Sequence, residues 1–246
     1  MTQVYNENTF RGWDGKTNIE RFMQSVVQYC DGLVIFDNGS TDGTRDIITK
    51  YSGTIEIEIP SNKENSPLYE NYHRARCLEH CKRLNADWVL CLHPDEVFES
   101  VVERGALGAL ANTKTTIDGY VFKRRDLWRT DRYIRLDGEW NNNTEARLFK
   151  LTDKINYDIS PGINKTIVPN GIVNASYSAL KILGYGYSTD EQIAHKYRQL
   201  KGLGFDIAPL VSEMNIRLCD VNESFRVKMN GPKIDVYNKR ISEILA

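Results

Sequence analysis

Two apolar runs in this chain break into clusters of acid, and that arrangement limits the architecture more than any other feature. Gly32-Leu33-Val34-Ile35-Phe36 has the composition of a buried strand. It runs into Asp37-Asn38-Gly39-Ser40-Thr41-Asp42-Gly43-Thr44, turn formers that deliver carboxylates to the strand's carboxyl end. Ala86 to Leu92 is a second buried run and ends in His93-Pro94-Asp95-Glu96. In an open α/β sheet the carboxyl edge is where ligands bind. Acidic groups there suit a hard cation bridging phosphates, so the two runs together imply a nucleotide diphosphate and metal site.

Helical and strand periodicities alternate around these runs. Val4-Tyr5 closes a short first strand. Ile19, Phe22, Met23, Val26 and Val27 recur at helical spacing over 18–29 behind Thr17 or Asn18 as cap. A further helix is expected over 44–51, a period-two strand over 54–60 and a charged helix over 68–84, giving β-α-β-α-β-α-β and a mostly parallel sheet. Beyond Glu96 the spacing predicts a helix over 101–111, strands at 119–123, 147–151 and 178–183, and a helix over 188–200. The stretch from Asp126 to Asn143 is dense in Arg, Asp, Trp and Asn, as a contact surface would be.

At 246 residues and 41% hydrophobic, the chain has enough apolar surface for one α/β domain. Its 32 basic and 33 acidic residues are intermixed, for a net charge of -1, which argues against a nucleic-acid partner. No run approaches a membrane span, and the first residues lack a signal-peptide pattern, so a cytoplasmic location is expected. The five cysteines are dispersed and odd in number, as reduced packing residues would be.

Taken together, DNGSTDGT and the later strand ending in an acidic element resemble the family 2 glycosyltransferases. The likeness starts at Val4-Tyr5-Asn6-Glu7 and runs to about Lys201. Gly138-Glu139-Trp140 followed by Arg147-Leu148-Phe149-Lys150 is similar to elements of the bacterial branch that builds lipopolysaccharide core and other surface glycans. Leu183-Gly184-Tyr185-Gly186-Tyr187, with Lys196-Tyr197 after it, resembles that branch's closing elements. The resemblance implies a GT-A (Rossmann-like) fold, with a mostly parallel mixed central sheet flanked by helices. One glycosyltransferase domain would span 1–201, its nucleotide-binding half about 1–100 and its acceptor half about 101–201. A helical C-terminal extension over 202–246 would pack on it or lead to further transferase domains.

The implied activity moves a sugar from a UDP-, GDP- or dTDP-sugar to a hydroxyl of a glycan or glycolipid acceptor, with inversion and metal assistance. The inner face of the membrane, reached by peripheral association, is compatible with it. On the resemblance, Tyr5, Asn6, Glu7, Asp37, Asn38, Arg76 and Asp95 would surround the nucleotide, Asp37 and Glu7 near the base and ribose. A turn-capping Asp, a solvated Glu and a solvated helix face are the plain alternatives for Asp37, Glu7 and Arg76. Asp95 and His93 would hold Mn2+ or Mg2+. His93 replaces the family's usual carboxylate, which favours manganese if the imidazole coordinates.

The base must be a carboxylate near the anomeric carbon. Glu145 is the first candidate, with Asp137 and Glu139 behind it, and an ion pair with a neighbouring Arg is the alternative for Glu145. Asn143 stands where relatives often have Asp, and Gly184 where they often have His. Trp128 and Trp140 either stack on a sugar or pack in the interior. Arg124, Arg125 and Arg147 either bind an anion or solvate the surface. Two other functions fit parts of the pattern. A nucleotidyltransferase would need a glycine-rich phosphate loop where Tyr5-Asn6-Glu7 stands, and a degenerate GT-A-like module would bind nucleotide or partner without turnover.

Overall fold

The structure, a computed structural model, describes residues 1–51, 54–58, 67–99, 102, 104–112, 116–162, 166–205, 216–221 and 243. Its described residues divide into two compact units, one of 1–9, 17–123 and 144–182, the other of 10–16, 124–143 and 183–246. Residues 101–123 and 144–182 fall in the same unit as 1–9 and 17–100.

In the first unit, β1 (Thr2–Val4), β2 (Gly32–Asp37) and β3 (Thr54–Glu58) pair in parallel, with Val4 opposite Asp37. Parallel neighbours need long crossovers, and α1 (Asn18–Val26) and α2 (Thr44–Ile48) lie in those connections. Thr17 caps α1 through a reciprocal box with Glu20. After α3 (Glu70–Arg83) the chain enters β4 (Trp88–Leu90), which continues the sheet beside β1. Met1 N donates to Leu90 O at 2.6 Å, and Leu92 N donates to Met1 O at 3.3 Å.

The remaining elements are β5 (Glu96–Phe98), α4 (Arg104–Ala111), β6 (Gly119–Asp126), β7 (Tyr133–Arg135), β8 (Thr144–Lys150), β9 (Ala175–Gly184), α5 (Asp190–Gly202) and β10 (Leu218–Asp220). Strand order past β4 is β4-β8-β6-β9-β5. The sheet is the mixed one, flanked by helices, that was expected. β8 runs antiparallel to both β4 and β6, so parallel pairing belongs to the first strands and the sheet as a whole is mixed.

The sheet is apolar on both faces, as alternation along its strands shows. Leu33, Ile35, Leu90 and Leu148 join a core with Phe22, Met23 and Ile48 from α1 and α2. Val34, Phe36, Val89 and Phe149 point into a second core with Cys77, Leu78 and Cys81 of α3. All five cysteines are free thiols, four of them buried.

In the second unit β7 pairs antiparallel with β10 beside a cluster of Trp128, Trp140, Tyr187, Ile193 and Leu218. Thr189 caps α5 through a box with Gln192. β10 falls inside the stretch expected to be helical. Leu218 and Cys219 are buried there by pairing with β7, a long-range contact that local spacing does not encode. Most of 206–246 lies outside the described residues. No helix among the described residues is long and apolar enough to cross a membrane.

Candidate functional site

The carboxyl ends of β1 and β2 carry loops that are tied to each other. Asp37, with no exposed surface, accepts from Ser40 N at 2.9 Å through Oδ1 and from Arg45 Nε at 3.0 Å through Oδ2. Both oxygens therefore shape the turn that follows. Asn6 has φ 54°, in the left-handed region that Asn tolerates better than most residues. From there its N donates to Ser40 Oγ at 3.0 Å and its Oδ1 accepts from Thr41 N at 2.8 Å.

Asp42 completes the tie. It accepts from Asn8 N at 2.8 Å, Thr9 Oγ1 at 2.9 Å and Thr44 Oγ1 at 2.6 Å. Burial pushes its carboxyl up, but the hydrogen bonds from Thr44, Thr9 and Asn8 outweigh that, and its pKa lies below the ordinary value. Gly43 is required where it stands, because φ is 85° and a Cβ would come within 3.3 Å of Asn8 Nδ2.

Of the other residues expected near a nucleotide, Tyr5 is 49% exposed and Glu7 accepts from Asn18 Nδ2 at 3.2 Å. Asn38 extends the β1–β2 ladder by donating to Val4 O at 2.9 Å. Its side-chain Oδ1 is buried with no hydrogen-bond partner among the described residues. An acceptor stranded this way costs about 1–3 kcal/mol, which a ligand donor would relieve.

Arg76 lies on the outer face of α3, paired with Glu79 at 2.9 Å. The inward cation is Arg74, 4% exposed, which donates to Asn71 Oδ1 at 2.8 Å and Glu70 Oε2 at 3.1 Å. Arg74 and His93 line one crevice of about 10 Å³, with Gln3, Cys77 and Cys91. Sequence spacing contained this signal. Asn71, Arg74, Leu78 and Cys81 recur at three and four residues, the period of one helix face, and all four are buried.

At the end of β4 the two acids of the HPDE run part company. Glu96 opens β5 with no exposed surface, accepting from His93 N at 2.8 Å and from Arg147 Nη2 at 2.7 Å. Asp95 and His93 remain as the metal candidates. No group of three or more His, Cys, Asp or Glu side chains suited to a metal occurs among the described residues. A cation here would rest on Asp95 and His93 plus phosphate oxygens and water. That donor set fits the way Mg2+ and Mn2+ bind with a nucleotide and does not fit a resident metal cage.

Glu145 sits at the start of β8, 31% exposed, with its Oε2 at 2.8 Å from the same Arg147 Nη2. Asp137 and Glu139 belong to the second unit. Asp137 is clamped by Arg135, with Nη2 at 2.8 Å, and by Arg217 N at 3.1 Å. Burial raises its pKa, but these donors bring it below the ordinary carboxylate value, a poor setting for a general base. Glu139 is exposed on the short 3₁₀ turn Gly138–Asn141.

Trp128 and Trp140 are interior residues, packed edge to face at 5.2 Å with the Arg135 guanidinium 4.2 Å from the Trp128 ring centre. Arg124, Arg125 and Arg147 are not solvating the surface either. Arg124 pairs with Asp126 at 2.6 Å, and Arg125 and Arg147 are 7% and 1% exposed. Gly184 stands where the bacterial family branch often has histidine, and a side chain there would have to displace the Arg124–Asp126 pair. A Cβ would stand 2.5 Å from Asp126 Oδ1.

No protein-family model matches the chain, and no curated protein does. Among solved structures it is similar to TarS of S. aureus, a glycosyltransferase, at 14% identity and a TM-score of 0.52 over 93% of this chain. The chain has a glycosyltransferase-like fold. It spans 45% of the length of that TarS chain. Two structures of TarS 1–349, one of them in complex with UDP, also align over 93% of this chain, at 13% and 12% identity and TM-scores of 0.49 and 0.42. At these identities the likeness concerns the fold, and function must be argued from the site.

Proposed function

We propose that this chain transfers a sugar from a nucleotide diphosphate sugar to a hydroxyl of a glycan or glycolipid acceptor, in assembly of a surface polysaccharide. One observation carries the proposal: the buried Oδ1 of Asn38, with no hydrogen-bond partner among the described residues, beside Asp37 at the carboxyl ends of parallel strands. That is where an open α/β sheet binds its ligands, and a base N–H or a ribose hydroxyl is a donor that would satisfy it. Asp95 and His93, just past β4, are the residues proposed to hold the cation that a diphosphate needs. When bound, Mn2+ or Mg2+ would neutralise the leaving diphosphate.

Glu145 is the proposed base, taking the acceptor proton as the diphosphate departs from the opposite face of the sugar, an inverting transfer. Tyr5, Asn6 and Glu7 form the loop that lines the base side, and Asp37 orients the turn facing it.

Calorimetric binding of UDP, GDP and dTDP, with and without manganese, tests the reading. Selective binding of one diphosphate, weakened in Asn38→Ala and made metal-independent in Asp95→Ala, is the expected result. Glu145→Gln should keep nucleotide binding and lose transfer by about 10²-fold or more. Binding of no nucleotide under any condition would sink the proposal, and binding without transfer to any acceptor would favour the degenerate module.

A further inference from the structure

Trp13, in the second unit, is 66% exposed, whereas Trp128 and Trp140 are buried. Its indole is nonetheless fixed in place, because Nε1 donates to Ser188 O at 2.9 Å. The loop that carries it closes on itself. Gly12 N donates to Lys16 O at 2.9 Å, Gly15 N to Gly12 O at 3.0 Å, and Arg11 Nη1 to Gly15 O at 2.8 Å. At the loop's start the Phe10 ring lies 5.0 Å from that of His195 on α5. The loop is thus held both to the segment that leads into α5 and to α5 itself.

An indole whose N–H is satisfied offers nothing further but its apolar faces. Leaving so large a face in water forgoes the burial that aromatic residues usually supply, and holding it rigid removes the entropy that binding would otherwise cost. The ligand for such a face must present apolar C–H or π surface and carry polar groups at its edge. A cationic ligand is disfavoured by Arg11 and Lys16, which outnumber Asp14 in the same loop. A pyranose ring meets both requirements, with axial C–H groups on one face and hydroxyls around the rim.

We infer that Trp13 is a saccharide-stacking platform, which binds a pyranose unit of a glycan through the ring's C–H face. The inference rests on the transferase proposal for its purpose, since an acceptor glycan is the saccharide such an enzyme must hold. Its test is separate. Saturation-transfer NMR on the full chain with cellohexaose, maltohexaose and chitohexaose should show transfer to ring C–H protons for at least one of the three. Trp13→Ala should weaken that binding about tenfold, at the upper end for an aromatic contact.

Trp13→Phe, which keeps an aromatic face but loses the tether to Ser188, should fall between. UDP binding and melting temperature should not change in either variant. Transfer to none of the three oligosaccharides, or equal binding by Trp13→Ala, overturns the platform. If the oligosaccharide binds through Trp13 while no nucleotide binds, the platform stands and the transferase proposal falls.

Discussion

Arg147 holds two carboxylates of unlike burial, so substitutions in this trio should differ sharply in cost. Its side chain is 1% exposed, Glu96 at 2.7 Å is 0% exposed, and Glu145 at 2.8 Å is 31% exposed. With charge centres about 4 Å apart, such a contact contributes about 4 kcal/mol at an effective dielectric of about 20 and about 1 kcal/mol in water. The Glu96 contact belongs near the first value and the Glu145 contact near the second. Arg147→Met strands a buried carboxylate and should lower the unfolding free energy by about 3–5 kcal/mol.

Glu145→Gln should cost less than about 1 kcal/mol, as exposed pairs do. Adding Glu96→Gln to Arg147→Met removes the stranded charge and should restore most of the loss. Urea titration followed by circular dichroism measures all three, with an unchanged m-value as the sign that the unfolded state is comparable. Whole domains have only about 5–15 kcal/mol of stability, so Arg147→Lys is the milder companion, keeping the charge and losing the planar fork. An Arg147→Met protein within about 1 kcal/mol of wild type, the range of surface pairs, would refute the assignment of a buried pair. So would a double variant no more stable than the single.

Two further outcomes are expected. Gly184→Ala places a methyl 2.5 Å from Asp126 Oδ1 and 3.1 Å from Arg124 Nε, and it should cost about 1–3 kcal/mol by overpacking, read as a lower melting temperature. Burial first, then Arg198 and Lys196, hold the His195 pKa below 6.5. The unfolded chain therefore binds more protons just below pH 6.5, and stability should fall as pH drops through that window and recover as it rises. Melting temperature against pH should show this slope in wild type and a shallower one in His195→Asn. Asp42, lowered from 3.8, adds a loss of the same sign at more acid pH.

The local features of this fold were legible because they are written in local chemistry. Thr17, one of the two cap candidates before α1, is the residue that caps it, through a box with Glu20, and Thr189 caps α5 in the same way with Gln192. The turn after β2 could be read from its Gly, Asp and Thr residues, since each supplies a conformation or a donor that only a turn uses. Residues with distant partners were harder to place. Glu96 reads in sequence as one more acid past the strand, because the partner that makes its burial tolerable lies 51 positions away. Arg76 and Arg74 differ by two residues and so by about 200° around a helix. Choosing between them required the buried face of α3, set by packing against the sheet. The strand at Leu218–Asp220 likewise forms only because β7 offers it an edge.

β1 pairs with β2 on one side and meets β4 through Met1, Leu90 and Leu92 on the other. Any chain that ends before residue 92 therefore leaves β1 as an open sheet edge, with backbone groups that another polypeptide could pair with. Closing that edge joins positions about 90 apart in sequence, a contact of the kind that slows folding. A nascent or truncated form of this protein is thus exposed to self-association at its first strand, a hazard that ends when β4 takes its place.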